Sequence, residues 1–167
     1  MRRLRFLRGR GALLCGSSRL YTKLFYHLDY GCRMKLFAEG KDGGLDSNVT
    51  GYWLIEWKSL FSIALLKFDR GSREAFHSHA FNSVSWVLAG KLLEHRVYDA
   101  AGSLTQFRPG LKPIITTRNN LHKVIGLADR TWVLTFRGPW KKTWQEKFDD
   151  GAEVTLTHGR NIVERNK

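Results

Sequence analysis

Apolar positions in this chain recur with a period of two, in short runs cut by turn residues, and no long stretch keeps a helical period. Gly51–Lys58 (GYWLIEWK) sets Tyr52, Leu54 and Glu56 on one face and Trp53, Ile55 and Trp57 on the other. The second face is the apolar one and is expected to be core. Leu60–Phe68 (LFSIALLKF) is nearly continuous in apolar residues, as in a buried strand. Ser83–Leu88 and Lys91–Tyr98 flank Ala89-Gly90, which reads as a hairpin turn. Pro113–Thr117, His122–Leu127, Thr131–Phe136 and Val154–Thr157 are further short strands. Turns are expected at Lys41–Asn48, Ala101-Gly102-Ser103, Pro109-Gly110, Asn119-Asn120 and Ala128-Asp129. Pro139–Phe148 (PWKKTWQEKF) reads as a polar and aromatic loop or helical turn. About eight short strands spaced by turns predict an all-β fold, a single sandwich or barrel over residues about 48–160.

Composition narrows this further. With 167 residues, 43% hydrophobic and 13% aromatic, the chain can bury one substantial core. No run of about 18 apolar residues suggests a membrane-spanning helix. The net charge of +13 is uneven: residues 1–33 carry 8 Lys and Arg against Asp29 alone, so about half of it sits in the first fifth of the chain. That segment holds only the short apolar stretch Ala12–Cys15. It reads either as a mitochondrial-type targeting peptide or as an over-extended reading frame upstream of Met34, and it is set aside from the 34–167 domain. Without it the expected compartment is the cytoplasm. Cys15 and Cys32 both precede Met34, so neither a disulfide framework nor a cysteine-based zinc site is expected in the domain. Nucleic-acid binding finds no support beyond the basic start, because no aromatic and basic alternation follows it. Phosphate-loop, zincin and nucleophile-elbow motifs are missing from the chain.

The chemistry concentrates in Gly71–Gly90, GSREAFHSHAFNSVSWVLAG. His77 and His79 are two residues apart, so on an extended strand both imidazoles face the same side and can reach one metal ion. Two ligands hold a metal poorly, and a third donor must come from elsewhere. His122, just past the turn Arg118-Asn119-Asn120, is the best placed candidate. The three should then converge to within about 4 Å, the spread allowed by bonds of about 2.0–2.1 Å to a shared ion. His95 is expected on the outer face of its strand and His158 in a late loop. Glu74 and Glu94 are the carboxylates that could reach in. Arg73 and Arg137 are candidates for holding a carboxylate or phosphate of a substrate. Phe76 and Phe81 bracket the histidines as packing residues, and Trp140 and Trp144 could pack beside the barrel or flap over its mouth.

These residues resemble the cupins. The first cupin motif runs G-x5-H-x-H-x3,4-E-x6-G, and Gly71, His77, His79 and Gly90 fall on its frame, with Ser83 where the family carries a metal-binding Glu. His122 matches the histidine of the second motif, whose Pro and Gly are replaced by Thr117 and Asn119 and whose final Asn is replaced by Gly126. The resemblance covers roughly residues 50–137. The wording of TFRGPW and TLTHGR is also similar to small cupin-like proteins of bacteriophage genomes, which would place the protein in a host cytoplasm as an accessory protein. What the resemblance implies is a single jelly-roll barrel (a double-stranded β-helix) with one divalent metal on His77, His79 and His122. Iron is the first choice, with zinc, nickel or manganese as alternatives. It further implies a small-molecule ligand and a homodimer. Loss of the Glu leaves three neutral imidazoles and the full +2 charge of the ion, as in the three-histidine iron site of cupin thiol dioxygenases. The implied activity is a small iron-dependent dioxygenase, and the alternative is a non-catalytic cupin that binds a ligand or a protein partner.

Overall fold

The computed structural model describes residues 34–44, 47–72, 75–97 and 102–166; the basic segment 1–33, Arg73 and Glu74 lie outside the described residues. Fourteen strands are found there. They are β1 (Lys35–Lys41), β2 (Val49–Trp57), β3 (Phe61–Phe68), β4 (Gly71–Ser72), β5 (Phe76–His77), β6 (Ser83–Ala89) and β7 (Leu92–Val97). The rest are β8 (Ser103–Phe107), β9 (Ile114–Thr116), β10 (Leu121–Gly126), β11 (Thr131–Arg137), β12 (Thr143–Lys147), β13 (Glu153–Thr157) and β14 (Asn161–Asn166). The only helical piece among the described residues is a 3₁₀ turn, His158–Arg160. No helix among these residues is long and apolar enough to cross a membrane.

The strands form two antiparallel sheets, the jelly-roll arrangement expected from the sequence. The first runs β1-β2-β3-β11-β6-β9 and the second β14-β13-β12-β5-β10-β7-β8, with β4 beside β10. β1 and β14 lie outside the 48–160 span expected of the barrel, and each forms a sheet edge.

Alternation along each strand grades the interior from apolar to polar. In the first sheet Val49, Leu66, Phe68, Val87 and Val133 point inward and form the core with Ala64, Leu92 and Ile114. Two rungs away along the same strands, the inward row is Glu56, Ser62, Arg137, Ser83 and Thr116, each the ladder partner of the next and all buried. The apolar end supplies the burial that holds the sheets together. The polar end is where chemistry can sit.

Three expectations fail for physical reasons. The face assigned to β2 holds only as far as Trp53, because a bulge at Leu54 lets Trp53 pair with Ala64 and Ile55 with Ile63. The extra residue reverses the alternation, so Glu56 turns inward and is buried while Leu54 is exposed. Ala89-Gly90 is no hairpin: β6 and β7 belong to different sheets, and this turn carries the chain across. Residues 139–148 are not a loop or helical turn throughout, since Thr143–Lys147 is β12, paired with β13 and β5.

The two glycines of the sequence frame answer to backbone geometry. Gly71 has φ 110° and Gly90 φ 79°, both in the region that disfavours side chains. A Cβ on Gly90 would lie 2.3 Å from Thr131 Oγ1 and 2.7 Å from the Thr131 Cα. Gly90→Ala is therefore expected to lower the unfolding free energy by at least ~2 kcal/mol in urea titrations. Gly110→Ala, where a Cβ meets nothing within 4 Å, should change it by less than about 0.5 kcal/mol.

Candidate metal centre

The site is built on β5 and β10, adjacent in the second sheet. His77 ends β5 and is the ladder partner of His122, the second residue of β10. On its other side His77 pairs with Glu146 of β12. His79 lies two residues past the end of β5, half-buried, and still faces the same side as His77. The turn before β10 is closed by Asn120 N–H to Thr117 O, 3.1 Å, and by the Thr117 hydroxyl donating to Asn120 Oδ1, 2.6 Å. It aims His122 inward.

One nitrogen from each of His77, His79 and His122 can be chosen so that all lie within 4.8 Å of one another. The Nε2 atoms of His79 and His122 are 2.8 Å apart, close to the spacing of two ligands at about 2.0–2.1 Å on neighbouring positions of one ion. The full spread exceeds the ~4 Å expected of a loaded site, so binding would draw a ring inward by roughly 1 Å. In donor type, number and separation the cluster fits a divalent ion.

Behind the ligands stands an orienting shell. His122 Nδ1 donates to Glu94 Oε1 at 2.5 Å, which leaves Nε2 with its lone pair facing the cluster. Arg96 Nε lies 2.9 Å from the same oxygen, and Arg96 Nη2 donates to Ile115 O at 2.8 Å. Burial favours the protonated acid at Glu94, but the hydrogen bonds from His122 and Arg96 outweigh it and hold the carboxyl below its ordinary range. His77 Nδ1 is 3.4 Å from Ala75 O, an arrangement that turns Nε2 toward the cluster. Glu146, the neighbour of His77, is itself fixed by both Arg160 Nη atoms, at 2.9 and 2.8 Å.

Glu94 is thus not a ligand but the carboxylate that orients one. Its signal lay in strand parity: with His95 on the outer face, Glu94 must point in. His95 does lie outside, edge-on to Phe76 at 4.9 Å. Glu146 carries no sequence signal of its own, because the lysines and tryptophans around it show no strand alternation. Ser83, the family's glutamate position, is buried at the start of β6 in the opposite sheet. Phe81 touches the site rather than merely packing near it: its ring is 5.0 Å from His79, 4.9 Å from Trp140 and 4.7 Å from the Arg137 guanidinium carbon. Trp140 in turn contacts His158 at 5.7 Å and Trp144 at 6.4 Å, with Lys58 Nζ 4.6 Å from its ring. Burial, reinforced by the charges of Lys35 and Arg137 and opposed by Glu56, pulls the Lys58 ammonium below its usual range. Burial does the same to His158, helped by Lys58. Arg137 is buried and paired with Asp42, Nη2 to Oδ2 2.6 Å. A hollow of about 440 Å³ is lined by Ser83, Val84, Ile115, Thr116, Phe136 and Arg137 among others, and none of the three histidines lines it.

Solved structures share this architecture. A cupin-superfamily sugar phosphate isomerase from Silicibacter pomeroyi superposes with a TM-score of 0.51 at 14% identity, over 81% of this chain and 88% of that one. Oxalate decarboxylase from Bacillus subtilis gives 0.50 at 9% identity, over 75% of this chain and 31% of that one. KdgF from a Halomonas species gives 0.49 at 13%, over 64% and 94%. No family model and no curated protein matches the chain. Neither the isomerase nor the decarboxylase is a phage protein, so the phage likeness gains no support from them. Two antiparallel sheets, the His77, His79 and His122 cluster and the superposition on the cupin-superfamily isomerase together identify the chain as a protein of the cupin fold.

Proposed function

We propose that this protein binds one divalent metal ion through His77, His79 and His122 and uses it on a small-molecule ligand. The observation that carries this is the convergence of the three imidazoles, with His122 oriented by Glu94. The enzyme reading is a small iron-dependent dioxygenase. Iron held by His77, His79 and His122 would supply open coordination positions for substrate and dioxygen. The chain's own part is to fix the three rings, hold Glu94 ionised behind His122 and keep the chamber dry. Arg137, buried within reach of Phe81, is the candidate substrate-binding residue. Arg73 shares that role by its sequence position. The second reading, a non-catalytic ligand-binding cupin, is favoured by Ser83, which removes the family's carboxylate ligand. Turnover separates the two: oxygen consumption on an iron-loaded sample with a substrate panel belongs to the first alone.

The partner in solution is proposed to be a second copy of the chain. On the outer face of the first sheet one unbroken ladder row runs Ile115, Val84, Phe136, Ile63, Ile55, Leu36 across all six strands. Ile115, Phe136 and Leu36 are 59%, 42% and 53% exposed. Six strands about 4.8 Å apart and roughly 20–25 Å long offer on the order of 600 Å² of face. That approaches the ~800 Å² per partner of a standard interface, and an exposed apolar row across such a face marks a contact site.

Three measurements test these readings. Protein purified without a histidine tag should carry or take up close to one equivalent of metal by elemental analysis. His77→Ala should abolish it, whereas His95→Ala should leave it intact; loss in both would undo the ligand assignment. Glu94→Gln should weaken metal affinity about 10–100-fold in chelator competition while the fold stays intact by circular dichroism. Light scattering should give a dimer for the wild type and a monomer for Phe136→Glu at equal metal content. A wild-type monomer would remove the interface.

A further inference from the structure

We infer that the position vacated by the family's glutamate is filled by the carboxylate of the ligand itself, held between the metal and Arg137. This rests on the reading of the three histidines as a metal site.

Ser83 is 8% exposed and faces inward at the start of β6, where its Cα ladder partners are Arg137 on one side and Thr116 on the other. The residue that shortened the metal-ligand arm therefore stands directly beside an interior guanidinium. Arg137 is 4% exposed, lies 4.7 Å from the Phe81 ring, and Phe81 is 5.0 Å from His79. One aromatic ring separates the cation from a metal ligand. Asp42 engages Nη2 of Arg137, but Nη1 is buried with no acceptor among the described residues. Two more buried donors in the neighbourhood share that condition. Ser62 Oγ belongs to the other ladder partner of Arg137, and Trp140 Nε1 belongs to a ring 4.9 Å from the same Phe81.

The orphaned atoms around Arg137 can all donate, and an ionised carboxylate accepts at about four lone-pair sites. Charge points the same way. Three neutral imidazoles leave the ion's +2 unreduced, the Glu94 carboxylate is already matched by Arg96, and Asp42 is already matched by Arg137. Replacing glutamate by serine removes a carboxylate and a methylene from the chamber, so the incoming group is of the kind taken away. A planar carboxylate can meet a guanidinium bidentately. The ligand class is thus a small organic carboxylate, and its capture involves no covalent step.

The test uses the full chain loaded with nickel(II), with malonate as probe and neutral malonamide as its control, followed by calorimetry and by Trp fluorescence. Malonate should bind at least about tenfold more tightly than malonamide. Ser83→Glu, which restores the internal carboxylate, should raise nickel affinity and lower malonate affinity, each about tenfold or more. Arg137→Gln should cut malonate affinity about tenfold with nickel affinity unchanged, and Arg137→Lys, which keeps the charge, should recover part of it. Equal binding of malonate and malonamide would overturn the inference, as would a Ser83→Glu variant unchanged in both affinities. Nickel binding without malonate binding removes this inference alone. Arg137-dependent malonate binding without nickel binding removes the metal reading and keeps the anion site.

Discussion

A single rung of backbone pairing, His77 against His122, governs the arrangement of the candidate site. β5 is only two residues long and is held in place by β10 on one side and β12 on the other. Through that rung the spacing of two imidazoles is set by the strand separation of an antiparallel sheet, about 4.7–4.9 Å, rather than by side-chain chance. His79 then needs only to follow His77 around the end of the strand to close the triangle. The rung is braced at both ends by charge-assisted bonds, Glu94 on His122 and Arg160 on Glu146. A short strand carries little cooperative stability of its own, so the polar braces and the neighbouring strands do what length cannot.

Placing such a rung inside a barrel depends on the grading of the interior. Buried polar groups are costly unless partnered, and in the first sheet the buried charges Glu56 and Arg137 share one end while Leu66, Phe68, Val87, Val133 and their neighbours fill the other. Glu56, Glu94 and Glu146 are all buried, and each carries a cation: Lys35 and Lys58, Arg96, and Arg160 respectively. The bulge at Leu54 is part of this design, because with unbroken pairing of the same residues Glu56 would face solvent and Ile55 would occupy the polar row. One inserted residue therefore decides whether the end of β2 belongs to the site or to the core.

How much of this the sequence discloses follows from which constraints are local. Gly71 and Gly90 are legible because their positive φ excludes other residues, and the histidines between them because a metal needs same-face spacing. His122 is legible from the turn that precedes it. The bulge leaves no mark in GYWLIEWK, since the alternation is regular and only the partner strand reveals the slip. Ala89-Gly90 looks like a hairpin because a left-handed glycine serves a sheet-to-sheet crossing equally well. β12 hides among the lysines and tryptophans of residues 139–148, where one inward Glu146 among exposed neighbours gives no apolar period. With β12 unread, the partner of His77 on that side could not be found.

The glutamate that the family frame calls for and the glutamate that the structure supplies do different work. At position 83 a carboxylate would bind the ion and lower its charge. Glu94 stands one shell back, where it fixes the tautomer of His122 and increases the basicity of its Nε2. It cannot exchange one role for the other. Its Oε1 serves both His122 and Arg96, and swinging that oxygen onto the ion would break the contact with Arg96 and release the ring it orients. Since Arg96 already offsets its charge, Glu94 strengthens a ligand without neutralising the centre. The geometry of a metal site is thus retained while its anionic ligand is lost, and the electrostatics of the chamber pass from the protein to whatever enters it.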